Sequence, residues 1–108
     1  EMKATIRRIA NFQPQAVYLT HFSRLNYRES LAEDLLSMVN AHAEIGQRAA
    51  KLEKTVKLEQ IKRDLWELLW KEAQKHSCPL DEHQTHQLLA LDWELNAQGL
   101  VSWLERIA

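Results

Sequence analysis

The sequence has few residues that interrupt regular secondary structure or cross-link the chain. Its 108 residues include two Gly, two Pro and one Cys. With so few Gly and Pro to form turns, we expect long regular elements. Cys78 has no second cysteine to pair with, and no apolar run approaches the roughly 18 residues of a transmembrane helix. These absences favour a soluble protein of the cytoplasm without a membrane partner.

Strong charge of either sign is also missing. The formal net charge is -1, with 45% hydrophobic and 27% charged residues, as in ordinary globular proteins. The basic segment RAAKLEKTVKLEQIKR is interrupted by Glu53 and Glu59 and contains no aromatic side chain on which a base could stack. We therefore expect no nucleic-acid partner. The length predicts one domain, residues 1–108.

Three long segments repeat apolar residues at helical spacing. The first starts at Ser30, where Ser30 and Glu33 match a capping box, and the second starts near Thr55. The third follows Asp81, with Gln84 in the capping-box position. The apolar residues of this last helix are Leu88, Leu89, Trp93, Leu95, Leu100, Trp103 and Leu104. With a short helix at residues 2–12, the pattern predicts a mainly α protein, a bundle of about four helices.

One short segment departs from the helical pattern. After Pro14, residues 16–22 read AVYLTHF and are rich in β-branched and aromatic residues, which favours a buried strand. No second strand is evident in the sequence, so we predict at most one. A lone strand leaves backbone hydrogen-bonding groups unpaired. The segment is therefore expected to dimerise or to join the helical bundle, unless strands preceding Glu1 cover it.

Histidine and cysteine side chains suggest two kinds of chemistry, and both signals are weak. His83 and His86 share a helix face, with His76 and Cys78 upstream, but a structural zinc site needs about four ligands in a recognisable framework. Cys78 and His76 have no third group to orient the histidine and no Gly-rich oxyanion turn. We expect solvated histidines and no self-contained catalytic site.

Polar residues interrupt the apolar pattern of the last helix, within the segment LLALDWELNAQGLVSW. Asp92 and Asn96 stand one turn apart, on or beside the face that the apolar residues should bury, where polar groups need hydrogen-bond partners. A structural tie to a neighbouring element is favoured over a place in the second shell of a site. Gly99 weakens the helix, which predicts a close backbone approach by another element.

Two segments resemble a known family. ATIRRIANFQPQAVYLTHFSRL, with a helix, a Pro-containing turn and a strand ending in Thr-His-Phe, resembles the late part of metallo-β-lactamase-fold hydrolases. LLALDWELNAQGLVSWLER resembles the C-terminal helix of a bacterial branch of that superfamily. The resemblance implies an αββα sandwich in the full-length parent, whose core ends in residues 1–24. It makes His21 a zinc ligand and residues 25–108 a helical cap over a substrate pocket; it does not name the substrate.

The chain also departs from the family. The His-x-His-x-Asp-His signature, a further histidine and a bridging aspartate are absent, and Ser23 stands where that branch commonly has Gly. The chain is therefore not expected to catalyse hydrolysis or to hold zinc by itself. Its start inside a helical pattern predicts a fragment or processed product, whose partner is the N-terminal remainder of the domain or a second copy. The alternative is a stand-alone helical module for protein–protein interaction or dimerisation.

Overall fold

The computed structural model of the chain describes residues 1–19, 23–26 and 28–107, and the side chains of residues 1–17 and 28–107. These residues form four α-helices and two β-strands. In chain order they are α1 (Met2–Asn11), β1 (Ala16–Leu19), β2 (Ser23–Asn26), α2 (Glu29–Ala49), α3 (Lys54–Lys75) and α4 (Glu82–Ile107). The prediction of a mainly α protein with about four helices is confirmed, while the αββα sandwich of a parent domain stays a prediction. No helix in the described part of the chain has both the length and the apolar character of a membrane span.

The two strands form an antiparallel hairpin. Ala16 lies opposite Asn26 and Leu19 opposite Ser23. The prediction of at most one strand is wrong, because the polar segment Ser23–Asn26 pairs with β1 through its backbone and needs no strand-like side-chain pattern to do so. The sequence predicts that this segment either dimerises or joins the helical bundle. Pairing of β1 with a second strand of the same chain is a third outcome, which the sequence did not predict.

The chain divides into two compact units, Glu1–Asn40 and Ala41–Ala108, with the division inside α2. The core lies in the second unit, where α2, α3 and α4 each contribute two buried apolar residues. They are Ile45, Ala49, Ile61, Leu65, Ala97 and Leu104. The family-based division after residue 24 stays a prediction.

Helix α4 begins with the predicted capping box. The backbone N–H of Gln84 donates to Asp81 Oδ1 at 2.8 Å, and the backbone N–H of Asp81 donates to Gln84 Oε1 at 3.1 Å. This reciprocal pair satisfies donors that the first turn of a helix leaves without intrahelical partners. Helix α2 begins at Glu29, one residue before the predicted cap at Ser30.

A side chain from another helix packs closely on a different glycine from the predicted one. Gly46 in α2 is buried, and a Cβ at this position would lie 3.3 Å from Trp103 Cζ3 of α4. At Gly99, a Cβ would meet nothing within 4 Å among the described residues. The predicted close approach at Gly99 is therefore wrong, and Gly46 is the glycine on which a side chain of another helix, Trp103 of α4, packs directly.

Candidate functional site

The metal ligand implied by the family resemblance, His21, lies outside the described residues. The elements that precede it are described: α1 ends at Asn11, Gln13 adopts a left-handed φ of 48°, and Pro14 follows. Strand β1 then ends at Leu19. The predicted order of helix, Pro-containing turn and strand is confirmed, and the role of His21 stays a prediction.

Three aromatic rings of α3 and α4 meet in the second unit. The ring centroids of Trp66 and His86 are 4.8 Å apart, and those of His86 and Trp93 are 5.0 Å apart, both edge to face. The indole N–H of Trp93 donates to the backbone carbonyl of Lys62 at 2.7 Å. Edge-to-face aromatic pairs stabilise a fold by more than the burial of their apolar area alone. The rings and this hydrogen bond fix the first half of α4 against α3.

An ion pair stands beside these rings. Lys62 Nζ lies 2.6 Å from Glu94 Oε2 and 4.7 Å from the centre of a Trp93 ring. The hydrogen bond with Glu94 raises the pKa of the Lys62 ammonium above its ordinary value. The hydrogen bond from Lys62, followed by that from Gln98, lowers the pKa of the Glu94 carboxyl. Lys62 is thus engaged with an acidic partner and contributes little to a basic surface.

A pocket of about 380 Å³ lies next to the aromatic rings and is lined by Trp66, Glu82, His83 and His86. The indole N–H of Trp66 points to Glu82 Oε1 at 3.5 Å, a long contact. The sequence placed the two histidines on one helix face but gave no sign of their meeting Trp66. The pocket combines aromatic and ionisable walls and is widely open to solvent.

The four residues that suggested zinc do not converge in the part of the chain that the structure describes. Among His76, Cys78, His83 and His86, no three ligand atoms lie within 4.8 Å of one another. His76 Nε2 instead lies 3.2 Å from Glu72 Oε1. The backbone N–H of Cys78 donates to a carbonyl of α3, as is usual just beyond a helix end.

Asp92 and Asn96 are exposed. They do not lie on the buried face of α4, which carries Trp93, Ala97 and Leu104, and a tie to a neighbouring element stays a prediction. Apolar residues occur on two faces of α4, so periodicity alone could not identify the buried one. A place for Asp92 and Asn96 in the second shell of a metal site stays a prediction.

Sequence reasoning missed an exposed apolar surface on α4. Leu88 and Leu91 are each 69% exposed and Leu95 is 54% exposed, although the sequence pattern assigned Leu88 and Leu95 to the core. The spacing of three and four residues places all three on one face. We call these three residues the leucine stripe. The signal that could have revealed it is the presence of Leu91 between them.

Comparison of the chain with models of protein families, with curated proteins and with solved structures found no match. The resemblance to metallo-β-lactamase-fold hydrolases therefore stays a hypothesis about this chain.

Proposed function

We propose that the chain is the C-terminal portion of a metallo-β-lactamase-fold hydrolase, in which His21 binds zinc and the helices cover the substrate pocket. The observation that carries the proposal is the arrangement of α1, the turn at Pro14 and β1, which ends at Leu19 just before Thr20 and His21. In the family that the chain resembles, a strand of this kind delivers a histidine to the metal centre, and neutral imidazole is a good zinc ligand.

The free surfaces of the first unit also support the proposal. Among the described residues, β1 pairs with β2 alone, which leaves its second edge open to a further strand of a parent sheet. Helix α1 exposes 64% of Met2 and 49% of Ile9, and Phe12, directly after the helix, is 80% exposed. A helix with an exposed apolar face and a strand with an open edge are suited to packing against the remainder of a larger domain.

In this proposal His21 contributes one coordination bond and a fixed geometry, and it transfers no proton. Bound zinc activates water and polarises a carbonyl or phosphoryl oxygen of the substrate. The remaining metal ligands belong to the part of the domain that precedes Glu1, so residues 1–108 do not catalyse hydrolysis alone. Thioesters, lactones and phosphoesters are the substrate classes to test.

The experiment uses the protein made from the complete native reading frame that contains these residues. Its metal content is measured by mass spectrometry, and its hydrolysis of thioester, lactone and phosphoester substrates is measured with and without a chelator. We expect bound zinc, chelator-sensitive hydrolysis, and loss of both in His21→Ala. His83→Ala is the matched control, because His83 is an exposed histidine of α4, and it should retain both.

Two results would contradict the proposal. One is a complete reading frame without the His-x-His-x-Asp-His signature. The other is equal zinc content and equal activity in His21→Ala and the unaltered protein. A second candidate function, a helical module for protein–protein interaction or dimerisation, is supported by the exposed leucine stripe of α4, which does not involve His21.

A further inference from the structure

Helix α4 is apolar on two opposite faces. One face carries Trp93, Ala97 and Leu104 and packs into the core of the second unit. The other carries the leucine stripe, whose residues are exposed by 54% to 69%. Water-exposed leucines at helical spacing are typical of a surface that another apolar surface covers.

The side chains that border the stripe restrict the kind of partner that it can accept. Gln87 and Gln98 are exposed on one side of it and Asp92 on the other, and Asp92 alone among these three is charged. An acidic partner would find no basic side chain along these borders, and a basic partner would find Asp92 alone. The suitable partner is a helix with an apolar seam and largely uncharged borders, which is a description of α4 itself.

We propose that the leucine stripe is the interface of a homodimer in which α4 of one copy packs antiparallel against α4 of a second copy. The three leucines are spaced almost symmetrically about Leu91. A two-fold axis near Leu91 therefore places Leu88 of each copy opposite Leu95 of the other. The formal net charge of -1 causes little long-range repulsion between copies, and the one like-charge contact that the axis near Leu91 creates is between Asp92 of the two copies. This interface does not depend on the proposed metal site.

The size of the stripe sets the strength of association. Three leucines at these exposures present on the order of 300 Å² per copy, within the range of the largest apolar patches on monomers. A stable interface buries about 800 Å² per partner. The stripe alone falls well short of that area, so we expect a weak dimer that forms and dissociates with protein concentration.

Sedimentation velocity of the 108-residue chain over a range of concentrations tests the interface. We expect a reversible monomer–dimer equilibrium, and we expect Leu91→Glu to raise the dimer dissociation constant about tenfold or more. Asn96→Glu is the matched control, because it adds the same charge at an exposed position of the same helix away from the stripe. It should change the constant less than about threefold. Leu91→Gln should act in the same direction as Leu91→Glu.

Cross-linking tests the antiparallel arrangement. In chains that also carry Cys78→Ser, a mixture of Leu88→Cys and Leu95→Cys should form a disulfide between the two variants, and neither variant should cross-link efficiently with itself. Self-cross-linking of each variant would overturn the antiparallel arrangement. A wild-type chain that stays monomeric at all concentrations, or equal effects of Leu91→Glu and Asn96→Glu, would overturn the homodimer. If the chain is monomeric and Leu91→Glu lowers its thermal stability, the stripe is covered by the chain itself. That result would also overturn the homodimer.

Discussion

Single residues of the same type have different roles in this chain, as its two glycines show. Glycine inside a helix costs about 1 kcal/mol relative to alanine. At Gly46 the missing side chain leaves room for the rings of Trp103 and for Leu100, so close packing offsets part of the cost. At Gly99, which is exposed, the described residues offer no such contact. The sequence shows both glycines in helices, but it does not show which one another helix approaches.

We predict that Gly99→Ala raises the free energy of unfolding by about 0.5–1 kcal/mol. Gly46→Ala should raise it less, or lower it, because its new Cβ would lie 3.3 Å from Trp103 Cζ3 and the ring would have to move. Urea denaturation followed by circular dichroism measures both changes. Equal stabilisation by the two substitutions would mean that Trp103 does not pack tightly against Gly46.

Whole helices in this chain begin in two different ways. At α4, the side chains of Asp81 and Gln84 exchange hydrogen bonds with the backbone. At α3, the N-cap residue Glu53 makes no side-chain hydrogen bond to the first turn. We predict that Asp81→Ala lowers the free energy of unfolding by about 1 kcal/mol. Glu53→Ala, the same loss of a carboxylate at a helix start, should change it by less than about 0.5 kcal/mol.

Urea denaturation checks this difference, and the helix signal at 222 nm reports whether α4 frays at its start. If Asp81→Ala and Glu53→Ala were equally mild, the reciprocal hydrogen bonds at α4 would contribute little beyond what water supplies. If both were equally severe, Glu53 would have a role other than capping.

The elements also show which features a sequence can predict. Caps and apolar periodicity are local, and so the four helices and the Asp81–Gln84 cap could be predicted. Strand β2, with the sequence SRLN, has no apolar alternation and forms through backbone pairing with β1. The placement of Asp92 and Asn96 failed for another reason. Which apolar face of α4 is buried depends on α2 and α3, and a pattern within α4 does not contain that information.

The candidate sites also combine features that local sequence predicts with contacts that it does not predict. The spacing of His83 and His86 predicted that they share a helix face, and both line one pocket. The meeting of His86 with Trp66 depends on how α3 packs against α4, which local sequence does not encode. His21 was chosen by family resemblance, and its role stays a prediction.

The molecule as a whole distributes its buried surface unevenly. Among the side chains that the structure describes, six apolar ones are buried, and all six belong to Ala41–Ala108. Among the described side chains of residues 1–40, none is buried. A two-stranded hairpin is at best marginally stable alone in water, and an isolated helix as short as α1 is marginal too. Among the described side chains, the buried apolar surface that stabilises the fold therefore lies in the three-helix core of the second unit.

We predict that a fragment of residues 41–108 folds by itself and that a fragment of residues 1–40 does not. The first fragment keeps the contacts among α2, α3 and α4 that bury Ile61 and Leu65 completely, and it should unfold cooperatively on heating. The second has no buried apolar side chain among its described residues and should show a weak, non-cooperative helix signal. Circular dichroism melts of both fragments and of the whole chain measure this. A cooperative melt of residues 1–40 would show that α1 and the hairpin form a core of their own. A non-cooperative melt of residues 41–108 would show that the three-helix core needs residues 1–40 to fold.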